Sequence, residues 1–269
     1  MSLAVLNVNP WMHRGQLLRQ FALRQFRSRF AGSMLGVAWV VLNPLMLLAL
    51  YTFLFTSIFK MRVPLAVTST ESFALWLFAG LWPWTLFMES VVQATASITS
   101  EPSLVKRTAL PAWVLPSSLV ASNLALHLIG LLAFFPILAW QGTPLSVPGL
   151  CALVVPMAGL VALTLAFAWL LSALAVFLRD IGQVLGIALN LVFYLSPVLY
   201  PLDAAPEGFA QFLKWNPVTY IAEGYRGAIF HGTWLPWNDA VYLLAVALAS
   251  LAFAGWTFRR LRNLFADVL

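Results

Sequence analysis

The chain has 269 residues, 62% of them hydrophobic and 9% charged, where soluble domains run at about 45–50% and about 25%. That composition excludes a water-soluble globule and makes lipid the solvent for most of the chain. The 15 Lys and Arg against 9 Asp and Glu give a net charge of +6, but the basic residues stand between long apolar runs rather than on one solvated face, which argues against a nucleic-acid partner. The single cysteine, Cys151, lies inside an apolar run, so neither a disulfide framework nor a cysteine-rich metal site is available.

In chain order, residues 1–33 form a basic segment ahead of the first long apolar run. Leu17, Leu18, Phe21, Ala22 and Phe26 recur at helical spacing, Arg19, Arg24 and Arg27 fall on the opposite arc, and Leu23 breaks the pattern. This predicts an interfacial helix on the inner leaflet, held there by Leu17, Phe21 and Phe26. A plain basic flank that fixes topology is the alternative. The apolar run that follows is long enough to span, so the segment reads as a retained anchor rather than a cleaved signal.

Roughly 20 apolar residues cross the ~30 Å hydrocarbon core. Six such stretches are predicted: 34–59, 72–100 with Glu89 as its one charge, 113–139, 150–177, 181–202 and 240–258. The third and fourth share one uncharged run over 108–178, divided by Gln141-Gly142-Thr143-Pro144 and Pro148-Gly149. With the N-terminus inside, Arg14, Arg19, Arg24, Arg27, Arg29, Lys106, Arg107, Arg179, Arg259, Arg260 and Arg262 lie in the cytoplasm. Only Lys60, Arg62, Lys214 and Arg226 lie outside, among Glu71, Asp203, Glu207, Glu223 and Asp239; the asymmetry follows the positive-inside rule. The expected architecture is an all-α, polytopic membrane protein of one domain. Its parts are a cytoplasmic and interfacial segment over 1–33, spans one to five over 34–202, an outer segment over 203–239, a sixth span over 240–258 and a cytoplasmic tail over 259–269. The outer segment is rich in Trp, Tyr and Pro and follows Tyr194-Leu195-Ser196-Pro197 and Tyr200-Pro201. Prolines four apart interrupt helical hydrogen bonding, so the chain is expected to dip back toward the membrane as short helices at the outer mouth.

The catalytic vocabulary is thin. No Gly-Lys pair exists, hence no phosphate-cradling P-loop. His13, His127 and His231 are scattered, His-x3-His and Cys-x2-Cys are missing, and there is no Gly-x-Ser-x-Gly elbow, so no metal site and no catalytic residue is assigned. Glu89 either lines a path or is hydrogen-bonded between helices near the cytoplasmic end, and with no second carboxylate to complete a relay the bonded role is favoured. His127 is read the same way. Gly32-x3-Gly36 and Gly182-x3-Gly186 permit close helix contact, including dimerisation. Aromatic residues carry more information: Tyr51, Phe55 and Phe59 fall within an ~80° arc of one helix. Trp82, Trp84 and Phe87 of the second span and Phe193 and Tyr194 of the fifth are expected to join them. Flat aromatic faces suit sugar rings, whose C–H faces are apolar while their hydroxyls stay wet; ordinary helix packing or an interfacial belt is the alternative for each.

Four stretches, read together, carry a resemblance. Arg27-Ser28-Arg29-Phe30-Ala31-Gly32-Ser33-Met34-Leu35-Gly36 running into Trp39 and Leu42-Asn43-Pro44 resembles the opening of polysaccharide-exporting ATP-binding-cassette permeases, those for O-antigen, capsule and teichoic acid. Leu104-Val105-Lys106-Arg107 with Pro111 resembles their cytoplasmic loop after the second span. Arg179-Asp180-Ile181 followed by Tyr194-Leu195-Ser196-Pro197 and Tyr200-Pro201 is similar to their fifth-span signature, and Asn216-Pro217 with Glu223-Gly224-Tyr225-Arg226 to their outer segment. The resemblance implies a homodimeric membrane half of an exporter in the bacterial inner membrane, with both termini cytoplasmic. Two copies of a separate ATPase subunit would bind the ATP and Mg, and undecaprenyl-linked glycan would be the cargo. It further implies an ATPase interface at Glu101, Ser103, Lys106 and Arg107, and an outer gate that includes Tyr200, Pro201, Trp215, Tyr220, Tyr225 and Arg226. Ser100-Glu101-Pro102-Ser103 departs from the Asn or Gly residues expected there. Export of a drug or small lipid is the second reading; an enzyme acting on lipid-linked sugar is the third.

Overall fold

The computed structural model describes residues 10–54, 58, 73–107, 110–143, 146–202 and 205–269. The described residues are helices and turns, with no strand among them. Four helical segments have the length and apolarity to cross a membrane: Phe73–Thr95, Val114–Trp140, Val147–Ala175 and Trp237–Leu264. They contain α3 (Phe73–Thr95), α5 (Val114–Trp140), α6 and α7 (Val147–Ala152 and Val154–Ala175) and α11 (Trp237–Leu261). The protein is thus an all-helical, polytopic membrane protein.

The stretches predicted as spans one and five are shorter. They form α2 (Trp39–Phe53) and α8 (Ile181–Tyr194), and at ~1.5 Å per residue the latter reaches only ~21 Å. Pro197 explains the early stop of α8, since it has no N–H to continue the ladder. The outer part of the first stretch lies outside the described residues, Phe55 and Phe59 with it.

α3 is hydrophobic on all sides, as a helix enclosed by protein must be, and buries Phe73 to Leu81 without interruption. Around it stand α2, α5, α7, α8 and α10 (Pro217–Arg226), while α11 lies along α7. Pro44, Pro83 and Pro136 sit inside their helices, a tolerated position where neighbouring helices cover the freed carbonyls. At the N-terminal end, α1 (Pro10–Phe30) packs against α5. Leu17, Leu18, Phe21, Ala22 and Phe26 are half-buried on one side of it, while Arg19, Arg24 and Arg27 are exposed on the other. Gly32 and Gly36 have φ of 77° and 51°, values that only glycine adopts without strain. This pair therefore turns the chain between α1 and α2.

After the break at Pro197, α9 (Glu207–Leu213) is short, and α10 returns to pack against both α3 and α7. Asn216 caps α10 by accepting from the Val218 N–H at 3.0 Å, with Pro217 in the first helical position. Thr219, Ile221, Ala222, Gly224, Tyr225 and Arg226 are buried around more than half of its circumference, and the small residues among them let the helix pack closely on its neighbours. At the opposite end a second core forms from Ile98, Ala173, Val176, Phe258 and Phe265. It brings α12 (Phe265–Val268) against α4 (Pro102–Arg107).

Candidate functional site

α3 presents two aromatic sides. Residues two apart on a helix point about 200° away from one another, so Trp82 and Trp84 diverge. Trp84 turns toward α8, with ring centroids 5.5 Å from Phe87 and 5.6 Å from Phe193; Phe193 stands 5.3 Å from Tyr194. These four predicted residues are brought together. Tyr51 is half-buried and packs at the margin of the main core. Tyr194 is 64% exposed, so the cluster ends in a free aromatic face bearing a hydroxyl. Behind it lies an apolar cavity of about 160 Å³ walled by Pro83, Trp84, Phe87, Phe167, Leu189 and Ile221.

Trp82 faces the other way. Its ring stacks on Phe78 at 5.3 Å and on His127 at 5.5 Å, and its Nε1–H donates to the His127 carbonyl at 3.1 Å. It rests on Gly130, where an added Cβ would stand 2.1 Å from a ring carbon. His127 Nε2 in turn meets the Tyr225 hydroxyl at 2.9 Å, and both residues are buried. This ties α5 to α10.

The adjacent Arg226 is 2% exposed. Its guanidinium lies 3.4 Å from the Trp76 ring centroid and donates to the carbonyls of Pro197 at 2.9 Å and Val198 at 2.7 Å. It also pairs with Glu223 at 2.8 Å. Gly80 makes the room, since a Cβ there would come within 2.5 Å of Nη2. A buried cation survives only when its donors are matched and its charge is balanced. Arg226 meets both conditions by pinning the broken end of α8 to α10 and α3. Of the other predicted gate residues, Tyr200 and Pro201 are half-buried, and Trp215 is 75% exposed. The Tyr220 hydroxyl donates to the Lys214 carbonyl at 2.9 Å and its ring lies 5.1 Å from Tyr242.

Beyond the C-terminal end of α3, Glu101 pairs with Arg24 of α1 at 3.1 Å. Ser103 and Lys106 are exposed on α4; Arg107 belongs to the same helix, and its side chain lies outside the described residues. Arg29 pairs with Glu89 at 2.8 Å and donates to Asn123 Oδ1 at 3.1 Å. The Asn123 amide reaches Ser90 and Gln93, each at 3.2 Å. Glu89 is therefore bonded between helices, and α1 is joined to the bundle at two points. Sequence reasoning overlooked Asn123 and Trp76. An amide in an uncharged apolar run was the available signal for the first; nothing local marked the second as a cation's partner. No group of three metal-ligating side chains occurs among the described residues.

Comparison with known proteins fits this arrangement. The family model for the ABC-2 type transporter matches residues 16–230. The O-antigen export system permease protein RfbA of Myxococcus xanthus is 32% identical over 265 residues, 96% of each chain. A Klebsiella pneumoniae protein of the same name is 25% identical over 252 residues, covering 91% of this chain and 92% of its own. The polysialic acid transport protein KpsM of Escherichia coli is 24% identical over 245 residues, covering 90% and 91%. A family match over that share of the sequence, on an all-helical membrane bundle, makes the chain a transporter permease that belongs to the ABC-2 type transporter family.

Proposed function

We propose that the chain is the channel-forming subunit of an ATP-driven exporter that moves lipid-linked polysaccharide across the bacterial inner membrane. The observation that carries this reading is the similarity to an O-antigen export permease over 96% of both chains. The cluster Trp84–Phe87–Phe193–Tyr194, open at Tyr194, supports it with a surface along which sugar faces slide without tight binding. Tyr51, Phe55 and Phe59 complete that lining in the proposal, whereas Trp82 serves to hold α5. Two copies form the passage. The exposed face of α8 favours this, because Val184, Ile187 and Leu191 are bare and a Cβ at Gly182 or Gly186 would meet nothing within the chain.

With no P-loop in the sequence, nucleotide acts through a partner: a ligand shifts a conformational equilibrium only through differential affinity for the two states. A separate ATPase subunit, two copies per dimer, binds ATP and Mg and docks at Glu101, Ser103, Lys106 and Arg107 on the cytoplasmic side, where both termini also lie. α1 rests at the inner surface through Leu17, Phe21 and Phe26. The outer gate is formed by α9, α10 and the turn before them, including Tyr200, Pro201, Trp215, Tyr220, Tyr225 and Arg226. Deletion of the gene should leave lipid-linked polymer on the inner leaflet, and unchanged surface glycan would refute the proposal. Phe193→Ala and Tyr194→Ala should slow export while the assembled transporter still hydrolyses ATP.

A further inference from the structure

Trp82, His127, Arg29 and Glu89 belong to the wall of a second cavity, of about 300 Å³, between α1, α2, α3 and α5. That volume is at the low end of the range for small-ligand sites, ~300–1,000 Å³. Its chemistry is divided. Val40, Pro44 and Leu47 of α2 form an apolar side; Arg29, Asn43, Glu89 and His127 supply polar groups. Asn43 has unused bonding capacity, since its side chain is exposed and makes no hydrogen bond among the described residues. His127 has its Nε2 on Tyr225 and its Nδ1 enclosed by protein, so it adds wall rather than a contact.

Arg29 is the only cation and Glu89 the only carboxylate among the described residues that line the cavity. They stand 2.8 Å apart, and their side chains stay 35% and 47% exposed. The site therefore has zero net charge with its two poles still reachable. A strongly anionic headgroup would meet one cation already matched by a carboxylate; a zwitterion would find a partner for each pole.

We propose that this cavity binds a phospholipid with a phosphoethanolamine headgroup. The phosphate lies against Arg29, the ammonium donates to Glu89, the ester region reaches Asn43, and an acyl chain runs along α2. This goes beyond the cargo and does not depend on the topology proposed above.

The test is native mass spectrometry of the purified full chain, equilibrated with phosphatidylethanolamine, phosphatidylcholine or phosphatidylglycerol of matched acyl chains. One phosphatidylethanolamine per chain should be retained, with about tenfold preference over the other two, the scale of one charge-assisted hydrogen bond. Phosphatidylcholine has no N–H to offer Glu89, so it separates hydrogen bonding from simple charge. Glu89→Gln should abolish the preference. The double variant Arg29→Glu with Glu89→Arg preserves an ion pair, and so the fold, but reverses its polarity; it too should lose the preference. Asn43→Leu, at an exposed amide, should lower retention even if the charge variants fold poorly. Equal retention of all three lipids, or a preference that survives Glu89→Gln or the double variant, overturns the proposal. These readouts are independent of glycan export.

Discussion

The two ends of the bundle use the same kinds of polar contact under opposite conditions. Around α10, Arg226 and Tyr225 are buried and their partners are carbonyls, a ring and a histidine within the core, with Glu223 at its edge. At the α1 end, Arg24–Glu101 and Arg29–Glu89 leave their side chains about one-third to three-fifths exposed. Breaking a buried charge network by removing one partner costs several kcal/mol, whereas an exposed pair is worth ~0–1 kcal/mol. The contacts of α10 therefore act as fixed pins. The pairs made by α1 can be exchanged for bonds to a lipid or to another protein at little cost.

Arg226→Ala tests the strongest side of this contrast. It strands the Pro197 and Val198 carbonyls and should destabilise the fold by about 3–5 kcal/mol, read as a large fall in melting temperature in detergent; Arg226→Lys should recover part of the loss. A melting temperature near wild type for Arg226→Ala would erase the distinction between the two ends. Next comes Gly130→Ala, which drives a methyl into the Trp82 ring and should cost about 1–3 kcal/mol by overpacking, seen in the same melt and as altered tryptophan fluorescence. Tyr225→Phe removes a single hydrogen bond and should cost about 1 kcal/mol, measured by denaturant unfolding against wild type. The smallest effect belongs to Glu101→Gln. Stability should change by less than about 1 kcal/mol, and a double-mutant cycle with Arg24→Gln should show a coupling that fades as salt rises.

The sequence made the membrane bundle legible because crossing lipid imposes a length and an apolarity that no local packing detail can disguise. α3, α5, α7 and α11 match their predicted stretches for this reason. α10 was harder. Glu223 and Arg226 mark a segment as exterior when each charge is counted alone, yet they pair three residues apart and the guanidinium spends its remaining donors on a proline-broken turn. Arg29 and Glu89 lie 60 positions apart, so their pairing left no local pattern to read. The separation of Trp82 from Trp84, in contrast, was available from helix phase, and grouping both with Phe87 set that phase aside.

Because those two tryptophans open onto different cavities, α3 is a party wall. A small hydrocarbon in the apolar space behind Trp84 and the proposed lipid beside Trp82 would press on opposite sides of one helix. Each is therefore expected to weaken retention of the other, and thermodynamic linkage makes that effect mutual.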